Sequence, residues 1–134
     1  GRERMCKLRK FIWLIPVFVA ALTVVLMKTV FFVGYVPTPS MEPTLREGAL
    51  IFGIRIFDDL QAGDIIVFTK DGQFLVKRIV ATEGQQVERN GELITVPQDS
   101  FYLLGDNEAC SYDSRYWDEP FVWRKDVVAL IIFK

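Results

Sequence analysis

Residues 11–27, FIWLIPVFVAALTVVLM, are 17 consecutive residues without a charge, and beyond Lys28 the apolar stretch resumes through TVFFVGYV to Val36. As one helix, residues 11–36 would extend about 39 Å at 1.5 Å per residue, against a hydrocarbon core of roughly 30 Å. Such a helix spans a bilayer with some tilt. The alternative is a cleaved secretory signal, which has the same order of basic and apolar regions. This apolar run is longer than the ~7–15 residues of such a signal, and no small-x-small site follows it, which favours an uncleaved anchor. A lysine at mid-depth would cost ~2.5–3.5 kcal/mol. The span is therefore expected over about residues 11–27, with Lys28 snorkelling and Phe31, Phe32 and Tyr35 at the outer interface. Arg2, Arg4, Lys7, Arg9 and Lys10 crowd the other end, and the bias of Lys and Arg toward the cytoplasm sets the orientation. The expected organisation is a cytoplasmic tail over residues 1–10, an anchor and interfacial segment over 11–36, and an extracytoplasmic domain over 37–134.

The formal net charge of −1 conceals a split: residues 1–28 carry six Lys/Arg against one Glu, and residues 29–134 carry ten against sixteen Asp/Glu. A nucleic-acid reader would place its basic face on the folded part, so nucleic acid is not expected as a partner. The chain has no histidine. This excludes Ser-His-Asp triads, Cys-His dyads and His-ligated zinc or iron sites. Cys6 and Cys110 are expected on opposite sides of a membrane, so no structural disulfide is expected.

About 100 residues remain for one domain with one modest core. They read as short strands at residues 49–57, 64–68, 74–80, 86–89, 92–96, 101–104 and 127–133, all enriched in Val, Ile and Phe. Asp71-Gly72 and Asn90-Gly91 supply the residues that tolerate positive φ in two-residue hairpin loops. The expected class is mainly β, a sandwich or barrel behind one N-terminal helix, with a short turn after Pro43.

Three segments carry chemistry. VPTPSMEPTL, residues 36–45, holds three prolines in seven residues, which makes an extended strap and keeps Ser40 within ~14 Å of the anchor's end. A serine among prolines is ordinarily a loop residue. In FLVKRIV, residues 74–80, alternation along a strand sends Lys77 and Arg78 to opposite faces, so one of them can face the apolar interior. A buried amine tends to lose its proton and can then deprotonate a hydroxyl; on a solvent-facing edge strand Lys77 would only discourage aggregation. With no histidine, lysine is the available base for Ser40. GDNEACSYDSRYW, residues 105–117, is either a polar loop or a loop whose hydroxyls orient that amine while Asp113 and Arg115 pair.

Together these segments resemble the bacterial type I signal peptidases, membrane-anchored serine proteases that remove signal peptides from exported proteins. The resemblance rests on an ordered set: SMEPT at residues 40–44, GDIIVF at 63–68, KRIVATEG at 77–84 and GDNEACSYDSR at 105–115. It implies Ser40 as nucleophile, Lys77 as general base, Ser111 as the serine bonded to the base, and Asp113 with Arg115 as the bracing pair. It also implies an oxyanion hole from the Ser40 N–H assisted by the Thr38 hydroxyl, and Met41 bordering the substrate cleft. The implied fold is the compact β-rich domain shared with self-cleaving repressors of the LexA type. Gln85 and Asp118 depart from the family pattern, which commonly has Asp and Gly there. Only 27 residues separate Lys77 from Gly105, too few for the extra β-domain of larger members.

The implied activity is acyl transfer at the outer membrane surface on preproteins carrying small residues, typically Ala, one and three positions before the cut. The substrate would be held extended against a strand edge. The expected partners are these signal peptides and the lipid bilayer; no metal or cofactor is expected. Two readings from other classes stand beside it. One is a catalytically silent, membrane-tethered β-domain binding exported or pilus-type subunits, and the other a single-pass scaffold.

Overall fold

The computed structural model describes residues 1–133. Helix α1 (Arg2–Ile12) runs on into α2 (Leu14–Val30) with a break at Trp13. Pro16 lies four residues after Ile12, so it offers the Ile12 carbonyl no N–H and its ring crowds that carbonyl. Neither helix has a buried residue, and the stretch Arg2–Val30 is, among the described residues, the one long and apolar enough to cross a membrane. The Thr23 and Thr29 hydroxyls donate to the Val19 and Val25 carbonyls at 2.8 Å, so these polar groups are paired within the helix, as a helix in hydrocarbon would require.

The helical stretch is longer at both ends than the span expected over about residues 11–27, and the segment expected at the outer interface takes another form. The helix begins at Arg2 and stops at Val30, and Phe31–Tyr35 forms strand β1. Phe, Val and Tyr suit a strand, and β1 finds a partner in β2 (Leu50–Ile54), with Val33 opposite Phe52 and Tyr35 opposite Leu50. Arg55, just past β2, donates its N–H to the Val30 carbonyl at 2.6 Å and its Nε to the Phe31 carbonyl at 3.2 Å, closing the open end of the helix. Val36, expected in the interfacial segment, is buried in the core.

The other strands are β3 (Ile65–Lys70), β4 (Gln73–Thr82), β5 (Gln86–Arg89), β6 (Glu92–Thr95), β7 (Ser100–Leu104), β8 (Phe121–Trp123) and β9 (Val127–Phe133). Seven strands form one antiparallel sheet in the order β1-β2-β9-β3-β4-β7-β8, and β5 pairs with β6 as a separate hairpin. The protein is mainly β, as the strand pattern implies. Both hairpin turns have positive φ at their two central residues, 51° and 77° at Asp71-Gly72 and 54° and 81° at Asn90-Gly91.

Strand β3 explains the unbroken IIVF run, because it is buried on both faces. Ile66 and Phe68 join Leu60, Ile79, Leu103 and Trp117 in one cluster, while Ile65 and Val67 join Val36, Met41, Leu45, Ile51 and Ala129 in another. The candidate site lies where these two clusters meet strand β4. Cys6 and Cys110 are both free and exposed.

Candidate active site

Lys77 stands opposite Ile66 across the β3–β4 pair, and its side chain shares the inward face with Ile79. It is only 4% exposed. Its neighbour Arg78 turns to the other face, where Nε and Nη2 donate to the two Asp106 carboxylate oxygens at 2.9 and 2.8 Å. Of two consecutive cations, one therefore keeps a carboxylate partner and the other enters the interior. Burial pushes the Lys77 amine below its ordinary value; Asp113 opposes this by its charge and Arg115 reinforces it.

Ser40 belongs to a tight helical turn, Pro39–Met41, in place of the fully extended strap expected of its prolines. Pro39 at the first position of that turn has its φ already suited to it. The turn is gripped from the 105–117 loop: Asn107 donates its N–H to the Ser40 carbonyl at 2.9 Å and its Nδ2 to the Pro39 carbonyl at 3.0 Å. The result puts the Ser40 Oγ 2.7 Å from Lys77 Nζ, both residues being buried, while Thr38 Oγ1 donates to the Ser40 Oγ at 3.2 Å. Met41 faces away from this group into the second core cluster, fully buried, and does not line the cleft. Successive residues of a tight turn cannot both point the same way.

Asp113 is completely buried and accepts five hydrogen bonds. The donors are the Gly105 N–H at 3.0 Å, the Ser111 hydroxyl at 2.7 Å, and the Arg115 N–H, Nε and Nη2 at 3.2, 2.9 and 2.9 Å. Burial alone would raise its carboxyl. The hydrogen bonds from the Arg115 side chain, Gly105, Ser111 and the Arg115 backbone outweigh it and hold the group below its ordinary value. Ser111 donates its proton to Asp113, and among the described residues it makes no direct hydrogen bond to Lys77, which Asp113 reaches by its charge.

A cleft of about 470 Å³ opens over the pair, lined by Thr38, Ser40, Leu75, Lys77, Tyr112 and Trp117. Lys70 lies over the Trp117 ring at 4.6 Å from its centroid. Among the described residues no group of three or more His, Cys, Asp or Glu side chains is arranged to hold a metal ion. The chemistry available is that of a hydroxyl beside an amine whose charge is disfavoured, at the wall of a cleft.

The family model described as "Signal peptidase, peptidase S26" matches residues 8–96 and 91–134. The chain belongs to the signal peptidase family. It is 28% identical over 159 aligned positions to a protein of Synechocystis sp. named "Probable signal peptidase I-1", covering 90% of this chain and 80% of that one. It is 26% identical to "Signal peptidase I" of Bacillus amyloliquefaciens over 77% of this chain and 76% of the relative. A Staphylococcus aureus protein named "Inactive signal peptidase IA" is 34% identical over 60% of this chain and 49% of its own length.

This signal peptidase family member also recruits residues to the site that the sequence reading did not single out. Asn107 ties the Pro39–Met41 turn that carries Ser40, and Asp106 holds Arg78. Gly105 leaves room where a Cβ would stand 2.6 Å from both the Ser111 Cβ and the Ser40 carbonyl oxygen. The signal for all three was the GDN turn after strand β7, which reads locally as a turn and reveals its contacts only once Ser40 is brought against it. Asp118, where signal peptidases commonly carry glycine, lines the cleft.

Proposed function

We propose that this chain is a membrane-anchored serine endopeptidase that removes N-terminal signal peptides from exported preproteins, with Ser40 as nucleophile and Lys77 as general base. One observation carries the reading: the 2.7 Å contact between Lys77 Nζ and Ser40 Oγ, both buried, in a chain that has no histidine to take the role. A neutral Lys77 accepts the Ser40 proton across that contact, with the Thr38 hydroxyl donating to the same oxygen from another side.

The Ser40 Oγ then bonds to the scissile carbonyl carbon, and the C=O electron pair moves onto the oxygen. The Ser40 N–H and the Thr38 hydroxyl, rotated off Oγ, stabilise that oxyanion. As it collapses, the C–N bond breaks and the Lys77 ammonium returns its proton to the leaving amine. Neutral Lys77 next takes a proton from water as the water oxygen bonds to the acyl carbon; on collapse the Ser40 Oγ–C bond breaks and the Lys77 ammonium returns that proton to Oγ, which restores Ser40 and neutral Lys77. Asp113 and Arg115 place opposing charges near Lys77, and Ser111 helps fix Asp113. The chemistry requires neither metal nor cofactor.

Helix Arg2–Val30 gives way directly to strand β1, so the site sits a few residues of chain from the bilayer surface. With the basic tail cytoplasmic, the sheet and cleft lie outside, where preproteins emerge. The test is cleavage of a preprotein bearing an Ala-x-Ala site by the detergent-solubilised chain. Ser40→Ala and Lys77→Ala are each expected to lose at least about a thousandfold in rate. Parent-like cleavage by either variant overturns the dyad. The existence of a relative named inactive keeps one further reading in play, a silent domain that binds exported subunits. Retention of preproteins by the parent without cleavage of any of them would favour it.

A further inference from the structure

The hairpin of β5 and β6 stands outside the main sheet and packs on it through Val87 and Ile94 against Ala81, Val96 and Tyr102. From its turn end, Arg89 reaches the loop that braces the candidate site. Arg89 Nε donates to the Ser114 carbonyl at 3.0 Å, and Nη2 donates to the Trp117 carbonyl. Ser114 and Trp117 are buried, at 0% and 3% exposure, so without Arg89 two carbonyls would be left in the interior lacking this donor. The same loop is fixed from the other side by β7: the Leu103 N–H donates to Ser114 Oγ at 2.9 Å, and the Ser114 N–H to the Leu103 carbonyl at 3.1 Å. Asp113 immediately precedes Ser114, and its carbonyl accepts the N–H groups of Tyr116 and Trp117 at 2.9 and 3.1 Å.

We propose that Arg89 is a positioning residue for the candidate site: by gripping the Ser114 and Trp117 carbonyls with one planar guanidinium, it holds Asp113 at its distance from Lys77 and Trp117 on the cleft wall. The inference rests on the Ser40–Lys77 reading of that site. Arginine suits the task because its fork is rigid and its donors point in fixed directions; a lysine presents a single ammonium on a flexible stem. The grip sits close to buried groups. The Tyr102 hydroxyl, buried without a hydrogen-bond partner among the described residues, is pushed up by burial and senses the charges of Arg89, Asp113 and Arg115 together.

The loop lines the same cleft as Lys77 through Cys110, Tyr112 and Trp117, so under this proposal loosening it admits water to the amine. Burial is the largest influence on that amine, ahead of Asp113 and Arg115. The remaining charges around the cleft are Lys70 and Asp71 from the β3–β4 turn and Asp118 and Glu119 from the segment after Trp117. Releasing burial returns the amine toward its ordinary value, so more alkali is needed to make the base.

The test measures kcat, KM and the pH dependence of kcat for preprotein cleavage by the full chain in micelles, with thermal unfolding alongside. Arg89→Ala is expected to lower kcat about tenfold at neutral pH, change KM less, and move the acid-side midpoint of kcat upward by at least half a pH unit. Arg89→Lys, which reaches one carbonyl, should show a smaller shift in the same direction, and it decides the matter if Arg89→Ala fails to fold. A midpoint that stays at the parent's value or moves down, with activity falling only as the folded fraction falls, overturns the proposal and leaves Arg89 a tether for its hairpin. Lys77→Ala runs in parallel. Full activity there defeats the dyad itself, whereas an inactive Lys77→Ala beside a parent-like Arg89 variant defeats only this inference.

Discussion

Burying the Lys77 amine beside Ile66 and Ile79 costs free energy whenever that amine carries a proton. Its folded-state value is lowered from the ordinary 10.5. Below the lowered value both folded and unfolded chains hold the proton, and the fold bears the whole cost. Between that value and 10.5 the unfolded chain binds more protons, so stability rises with pH; above 10.5 the cost is gone. Lys77→Met, close in shape and without charge, should therefore raise the melting temperature at neutral and acid pH, by an amount that shrinks as pH climbs through this window. Equal melting at every pH would show that the amine carries no burial cost. Gly105 is governed by space. A Cβ there meets the Ser111 side chain and the Ser40 carbonyl oxygen, and overpacking of this kind costs ~1–3 kcal/mol. Because the atoms that must give way carry the turn holding Ser40, the proposed nucleophile, Gly105→Ala should reduce cleavage by more than its loss of stability explains, which kinetics and melts on the same sample will separate.

At the scale of elements, the loop after β7 depends on one carboxylate. Asp113→Asn removes the charge that Arg115 pairs with and weakens acceptance from Gly105 and Ser111, and breaking a buried pair on one side costs about 3 kcal/mol. Since the Asp113 carboxyl is held below its ordinary 3.8, its contribution is complete above that pH and fades as pH falls through the lowered value. Urea unfolding should thus separate variant from parent at neutral pH and bring them together in strong acid. The sequence was informative for elements whose signal is local: the hairpin turns at Asp71-Gly72 and Asn90-Gly91, and the Val- and Ile-rich strands between them. It left the form of residues 31–35 open, since aromatic and β-branched residues suit a membrane interface as well as a strand, and pairing with β2 made them a strand. It was silent on β8, three residues long, and on the helical turn at Ser40, whose shape is held by Asn107 from 67 residues away. At the site, alternation along β4 told that Lys77 and Arg78 part company; which one turns inward was settled by Asp106, a partner no local pattern reveals.

Over the whole molecule, an exposed apolar helix feeds straight into the edge strand of a sheet, and Ser40, the proposed nucleophile, follows four residues after Val36, where that chain enters the core. Under the proposed function, this layout keeps the cleft close to the end of a helix long and apolar enough to cross a membrane. Membership of the signal peptidase family supplies the substrate class, and the reaction proposed for it hangs on the charge state of a single amine. The most direct measurement is a titration of the lysine side chains by heteronuclear NMR on the intact, isotope-labelled protein in micelles, with the Lys77 resonance assigned from Lys77→Arg. Lys77 is predicted to titrate clearly below 10.5, apart from the exposed lysines. A Lys77 resonance that titrates together with those exposed lysines would contradict the account.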